Sequence, residues 1–216
     1  MDEPSSRYGA AKLVLALRSV GVMDKRLAET FEKTNREPFV ASQHRKWAWD
    51  NIELPIECGQ TQTRPVTVAQ IVQAMNLSRE MKVLEVGTGS GYLAAIAGKL
   101  ARSVYSIDRY RTIVERAQRA LDTLGLSQVD VKFGDGLEGW PDAAPFDRIV
   151  VTTAFDSLPR HYVDFLVSEG VMVAPIRDKE GTIRLARLTK IGSRFEREDF
   201  HEVPYLPMIS GVADAL

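Results

Sequence analysis

Three glycines at alternate positions follow a short apolar run in the segment VLEVGTGSGYLAA, residues 83–95. Because glycine has no β-carbon, Gly87, Gly89 and Gly91 would let the backbone turn sharply and approach a ligand closely. A strand that enters such a turn and leaves it as a helix is typical of nucleotide binding, although glycine also closes ordinary strand-to-helix turns. The pattern therefore predicts a nucleotide-like ligand at this turn.

Two acidic residues further along the chain strengthen that prediction. Asp108 ends the next apolar run, VYSID, at about the 20-residue distance where related folds place a carboxylate that binds ribose hydroxyls. Asp135 ends a third run and could accept a hydrogen bond from an adenine amino group, or form an ordinary Asp-Gly turn with Gly136. The Gly-x-Gly-x-Gly spacing lacks the Gly-x-x-Gly that ends the dinucleotide-binding motif. It therefore favours S-adenosylmethionine, which has no pyrophosphate to bind at a helix N-terminus.

These residues sit among short apolar runs that alternate with helical patterns. The runs at 82–86, 103–108, 129–134, 147–154 and 170–176 alternate with predicted helices at 90–101, 110–124 and 158–168. Such alternation is typical of βαβ units around a parallel sheet that is covered on both faces. Two more runs, 182–191 and 194–206, are joined through Gly-Ser-Arg and predict a hairpin at an antiparallel edge.

The N-terminal part of the chain has a different pattern. A helical stripe over residues 8–20, and a second one that begins after the N-cap residue Asp24, predict two helices. Residues 36–65 have no sustained period, which indicates an irregular but ordered segment of a length that is often functional. Pro65 suits the first turn of a third helix that runs to Met75.

Composition bounds the kind of protein. The 216 residues carry a net charge of −1 and one cysteine, Cys58. We expect one domain, with residues 1–64 as N-terminal helices and substrate loop and residues 65–216 as cofactor-binding core and edge strands. No basic run calls for a nucleic acid or membrane partner, and a soluble, cytoplasmic protein is expected. Cys58 permits no internal disulfide, and the histidines lack ligand spacing, so no metal site is expected.

Several segments together resemble the protein-L-isoaspartate O-methyltransferase family. They are REPFV, LPIECGQTQTRP, VLEVGTGSGYLAA, VYSID, GDGLEGWPDAAPFDRIVVTTA, EGVMVAPI and VPYLPM. The resemblance implies an α/β fold of class I methyltransferase type, a Rossmann-like doubly wound sheet of seven strands with an antiparallel edge. It also implies S-adenosyl-L-methionine as methyl donor and carboxyl methylation of isoaspartyl residues in damaged proteins or peptides, as a repair reaction.

The resemblance also assigns residues. Its cofactor set falls on Glu85, Gly87, Thr88, Gly89, Ser90, Asp108, Asp135 and Gly136. Of these, Glu85 would orient the methionine end through water, or would be a solvated carboxylate at a strand end. Thr63 stands at the position of the family's active-site serine, and we take Gln60 and Thr63 as the candidates for holding the acceptor carboxylate. Because a carboxylate is already ionised at neutral pH, the reaction needs no general base.

The acceptor loop departs from the family pattern. The family reads Gly-Gln-Thr-Ile-Ser-Gln-Pro, whereas this chain reads GQTQTRP, with Gln62, Thr63 and Arg64 replacing an apolar residue, a serine and an uncharged residue. Arg64 is either a partner for an acceptor carboxylate or a solvated surface cation. A different carboxylate acceptor, a non-catalytic S-adenosylmethionine-binding module and a nicotinamide-dependent oxidoreductase remain as alternatives. The tail after VPYLPM, residues 209–216, is expected to contribute little to the chemistry.

Overall fold

A computed structural model describes residues 3–213 of the chain. Helix α1 spans Glu3–Ser19 and helix α2 spans Lys25–Lys33. The carboxylate of Asp24 accepts hydrogen bonds from the amides of Arg26 and Leu27, so it caps α2 as its sequence position predicts. Both predicted N-terminal helices are confirmed.

The irregular segment that follows is organised by one buried cation. It contains three short 3₁₀ turns, Glu37–Phe39, Ser42–Trp47 and Glu57–Gly59, and a small hairpin of strands β1 (Leu54–Pro55) and β2 (Thr61–Gln62). The guanidinium of the fully buried Arg36 donates to the backbone carbonyls of Ala48, Asp50, Ile52 and Thr63. Burial lowers the pKa of Arg36 to about 10, so it stays charged and holds the loop in place at neutral pH.

The rest of the chain forms the main sheet and its crossover helices. The helices are α3 (Pro65–Met75), α4 (Tyr92–Leu100) and α5 (Arg111–Thr123). The strands are β3 (Lys82–Val86), β4 (Ser103–Asp108), β5 (Val129–Phe133), β6 (Phe146–Val151), β7 (Leu166–Arg177), β8 (Ile183–Ile191) and β9 (Arg194–Glu202). Their order in the sheet is β5-β4-β3-β6-β7-β8-β9. Strands β3 to β7 are parallel, and β8 and β9 form the antiparallel edge, as the sequence predicts.

The prediction of a helix at 158–168 is wrong. Residues Arg160–Phe165 form only a short 3₁₀ segment, and β7 already begins at Leu166. The side chain of Leu166 is buried and its backbone pairs with Phe146 of β6, while Tyr162 packs edge-on against two phenylalanines. Sheet pairing and aromatic packing therefore override the helical spacing of the apolar residues.

The edge hairpin is shorter than the sequence predicts. Its turn is Gly192–Ser193, in which Gly192 has a φ of 62°, and β9 ends at Glu202 rather than continuing to residue 206. Pro204 and Pro207 have no amide hydrogen for a ladder, so the chain leaves the sheet after β9. Residues 203–213 then cross the carboxyl ends of the parallel strands.

Apolar side chains cover both faces of the sheet. On one face, helices α1, α2, α3 and α4 pack together with strand residues such as Val83. On the other face, a second core contains Leu84 and Phe146. Trp140 packs edge-on against Tyr105 in the second core. No helix within residues 3–213 is both long and apolar enough to cross a bilayer.

Candidate active site

A cavity of about 440 Å³ lies at the carboxyl ends of the parallel strands. Ligand sites of open α/β sheets occur at this edge, and the volume is in the range of small-molecule pockets. The β1–β2 hairpin and the segment after β9 form its other walls. The predicted site residues that line it are Gln60, Thr63, Glu85, Gly87, Thr88, Gly89, Ser90, Asp108 and Gly136.

Two glycines of the turn after β3 serve different needs. Gly87 has a φ of 94°, and a β-carbon there would overlap the hydroxyl of Thr152, so the fold itself requires glycine. Gly89 has a φ of 52°, but a β-carbon there would meet only a methyl group of Ile56, at 3.8 Å. Because the site of that missing side chain opens onto the cavity, Gly89 leaves room for a ligand.

The carboxylate of Asp108 is held at the end of β4 by the glycine turn. One oxygen accepts from the amide of Gly89 at 3.0 Å, and the other accepts from the amide of Tyr110 at 3.0 Å. The residue is buried, and burial raises its pKa. Each carboxylate oxygen has a further lone pair, so Asp108 can also accept bonds from a ligand diol.

Glu85 is fully buried beneath the cavity and only partly satisfied. One of its oxygens accepts a hydrogen bond from Ser106, whose hydroxyl also lies 2.6 Å from that of Thr88. The other oxygen has no partner among the described residues. Burial, and to a smaller extent the nearby Asp108, raise the pKa of Glu85 to about 8. An unsatisfied carboxyl group facing a cavity fits a ligand that carries positive charge.

We expect the Glu85→Gln variant to be more stable than the wild type in ligand-free protein above pH 7. A raised pKa means that the folded state prefers the protonated acid. The contribution of Glu85 to the stability of the wild type is therefore fully present below about pH 4.5 and is lost as pH rises through about 8. The glutamine side chain of the variant does not ionise, and a tenfold change in proton affinity is worth about 1.4 kcal/mol. The gain should therefore grow to a few kcal/mol between about pH 5 and pH 9, measured by urea unfolding. If the free energies of unfolding of the two proteins change with pH in parallel, the raised pKa of Glu85 is contradicted.

Asp135 does not line the cavity in the described part of the chain. One of its oxygens accepts from the amide of Leu137 at 2.9 Å, and the other accepts from the amide of Gly211 at 2.6 Å. Its neighbour Gly136 does line the cavity, and a β-carbon on Gly136 would overlap Val86. Asp135 thus caps a short turn and anchors the C-terminal segment beside the cavity.

The C-terminal segment closes one side of the cavity. Met208 pairs with Ala154, Ile209 lines the cavity, and the amide of Ala213 donates to the carbonyl of Arg109. Backbone pairing thus places the tail across the strand ends and Ile209 in the cavity wall, while the expectation that the tail contributes little to the chemistry stays a prediction. Residues 214–216 of that tail lie outside the described residues.

The acceptor loop brings Thr63 next to a residue that sequence reasoning missed. The hydroxyl of Thr63 lies 3.2 Å from that of Tyr205, which also lines the cavity. Burial raises the pKa of Tyr205 to about 12, so its hydroxyl remains protonated at neutral pH. The side-chain amide of Gln60 instead turns back and donates to the carbonyl of Cys58.

Arg64 and the tryptophans lie outside this arrangement. Arg64 pairs with Glu53 at 3.7 Å, and both side chains are more than 40% exposed, which agrees with a solvated surface cation. None of the three tryptophans lines the cavity within residues 3–213. Cys58 is half-buried and unpaired, and no cluster of metal-ligating side chains occurs in the described residues.

Comparisons with known proteins agree on one family. A family model described as protein-L-isoaspartate(D-aspartate) O-methyltransferase matches residues 9–213. A protein-L-isoaspartate O-methyltransferase of Parvibaculum lavamentivorans is 43% identical over 204 residues, which cover 94% of this chain and 92% of that protein.

Two solved structures carry the same name. One protein-L-isoaspartate O-methyltransferase has a TM-score of 0.83 and 28% identity, and the match covers 92% of this chain and 65% of that one. A second, from Plasmodium falciparum and in complex with S-adenosyl-L-homocysteine, has a TM-score of 0.79, 20% identity and coverage of 92% and 97%. At that identity the second likeness concerns the fold.

Proposed function

Because this chain belongs to the protein-L-isoaspartate(D-aspartate) O-methyltransferase family, we propose which of its side chains bind the methyl donor and which hold the acceptor. The protein is an S-adenosylmethionine-dependent carboxyl O-methyltransferase with isoaspartyl residues as acceptors. The observation that carries the residue assignments is the cavity that the glycine turn, Asp108 and the acceptor loop line together.

We assign the donor site to the part of the cavity lined by Glu85, Gly89, Asp108 and Gly136. S-adenosylmethionine supplies an electrophilic methyl group on a positively charged sulfur. Asp108 accepts from the ribose hydroxyls, Gly89 leaves room for the ligand, and the free oxygen of Glu85 faces its α-ammonium group. Gly136 lies on the adenine side. The unsatisfied oxygen of Glu85 and the free lone pairs of Asp108 support the fit of this donor.

We assign the acceptor carboxylate to the paired hydroxyls of Thr63 and Tyr205. Both are neutral donors, so they can orient a carboxylate without neutralising the lone pair that attacks the methyl carbon. Holding both reactants in line can contribute up to roughly 7–11 kcal/mol where the alignment is good. The acceptor role expected of Gln60 stays a proposal, and its amide must leave the Cys58 carbonyl to perform it.

We expect Thr63→Val to lower the rate of methyl transfer while leaving donor affinity nearly unchanged. Valine has almost the same shape as threonine but lacks the hydroxyl, and one neutral hydrogen bond is worth roughly 0.5–1.5 kcal/mol, a few-fold to about tenfold in rate. Thr63→Ser keeps the hydroxyl and should preserve or raise activity. Single-turnover rates and donor titrations on both variants make the comparison. Equal rates for Thr63→Val and the wild type would remove this hydroxyl from the mechanism.

A radiolabelled methyl-transfer assay tests the function as a whole. It compares an isoaspartyl peptide with its normal aspartyl counterpart, and we expect label only on the isoaspartyl peptide. Label on neither peptide would favour another carboxylate acceptor or a non-catalytic binding module. Titration of the protein with S-adenosylmethionine and with nicotinamide cofactors separates the methyltransferase from the oxidoreductase alternative, because each class binds only its own cofactor. The single-domain division at residues 64 and 65 and a cytoplasmic location remain proposals.

A further inference from the structure

Four buried polar atoms that lack hydrogen-bond partners in the described chain belong to residues lining the same cavity. Three can accept a hydrogen bond, namely the amide oxygen of Gln62, one carboxyl oxygen of Glu85 and the hydroxyl of Tyr92, and the fourth is the Nε donor of Arg109, the residue after Asp108. A buried polar group without a partner is costly, and native proteins rarely leave one unless a ligand or water satisfies it. The three acceptors in one cavity indicate a place for a ligand group that donates hydrogen bonds.

Gln62 is held so that its amide oxygen is the free end. Its side-chain nitrogen donates to the hydroxyl oxygen of Ser90 at 2.8 Å, and that oxygen also accepts from the amide of Tyr92 at 3.3 Å. Because the nitrogen is engaged, the amide oxygen is left for a ligand. Gln62 is 3% exposed, and the pairing of β1 with β2 fixes which face of the hairpin it occupies.

We propose that the amide oxygen of Gln62 accepts a hydrogen bond from the α-ammonium group of S-adenosylmethionine, which makes Gln62 a cofactor-binding residue of this chain. The inference rests on the proposed donor site. An ammonium group has three donors and no acceptor, and the partnerless atoms of Gln62, Glu85 and Tyr92 are all able to accept. An ammonium group also stabilises the ionised form of Glu85, which burial disfavours in the ligand-free protein, whereas a ligand carboxylate would find no donor in the amide oxygen of Gln62.

The position of Gln62 in the chain agrees with this role. Its partner Ser90 directly follows Gly89 of the glycine turn, and its neighbour Thr63 belongs to the proposed acceptor site. Gln62 thus joins the donor and acceptor halves of the cavity. The family pattern has an apolar residue here, which could not make this contact. The chain therefore carries an added polar interaction with the amino-acid end of its donor.

The test compares two ligands on the full chain. Gln62→Met keeps the length and volume of the side chain but removes the amide. By calorimetry, the variant should bind S-adenosylhomocysteine about 10- to 100-fold more weakly than the wild type, because a hydrogen bond to a charged group is lost. It should bind 5′-methylthioadenosine, which lacks the amino-acid end, within about twofold of the wild type. That second affinity also reports that the cavity is still folded.

Two further analogues identify the group that Gln62 contacts. The effect of Gln62→Met should persist for an S-adenosylhomocysteine analogue without the carboxylate and disappear for one without the amino group. The opposite result would assign Gln62 to the carboxylate and overturn the proposal, as would an equal loss for 5′-methylthioadenosine. If the wild type binds neither S-adenosylhomocysteine nor 5′-methylthioadenosine, the proposed donor site fails instead.

Discussion

Gly89→Val should abolish measurable binding of S-adenosylhomocysteine before it abolishes folding. The β-carbon of residue 89 would point into the cavity, where the nearest atom is the Ile56 methyl group at 3.8 Å, so the added side chain would take space proposed for the donor. The amide of Gly89 also donates to Asp108, and displacing that turn would disturb the carboxylate proposed to bind ribose. Isothermal titration with thermal unfolding on the same sample measures both effects.

A matched control separates backbone strain from loss of space. Gly125 follows α5 with a φ of 65°, close to the 52° of Gly89, and a β-carbon added to Gly125 would have no atom within 4 Å. Gly89→Ala and Gly125→Ala should therefore lose similar stability, about 1 kcal/mol for an alanine in this region. Only Gly89→Ala should lose donor affinity. If Gly89→Val binds normally, Gly89 serves the turn alone.

The parts of the site that could be predicted are those encoded by local spacing. A short strand, alternating glycines and an acid at the end of the next strand place Gly89 and Asp108 together, because parallel strands end at one edge of the sheet. The structure brings them into direct contact through the amide of Gly89. The antiparallel edge was predictable for the same reason, since a short turn between two apolar runs forces a hairpin.

The parts that could not be predicted depend on contacts between distant segments. Thr63 meets Tyr205 across 142 positions, and no periodicity links them. The prolines of the VPYLPM segment could have indicated that the chain leaves the sheet there, but not which strand ends it would cross. The free oxygen of Gln62 is visible only when Ser90 is seen to hold the amide nitrogen. The same reason explains Asp135, whose carboxylate is engaged by Gly211.

Asp108→Ala should weaken the binding of S-adenosylhomocysteine by about 10- to 150-fold. One charged acceptor can bond both ribose hydroxyls, and losing a charge-assisted hydrogen bond costs roughly 1.5–3 kcal/mol. The variant also leaves the amides of Gly89 and Tyr110 without their acceptor, so part of the loss would come from a looser glycine turn. Calorimetric affinity of the folded variant is the measurement, and Asp130→Ala, an exposed acid on the adjacent strand β5, is the control.

A second ligand isolates the contribution of the ribose contact. An analogue of S-adenosylhomocysteine that lacks both ribose hydroxyls should bind the wild type more weakly, because Asp108 then loses its ligand partners. The same analogue should bind Asp108→Ala with little further loss, since the acceptor is already gone and the two effects act through one interaction. If removing the hydroxyls weakens binding to both proteins by the same factor, Asp108 holds only the glycine turn, and the ribose is bound by another group.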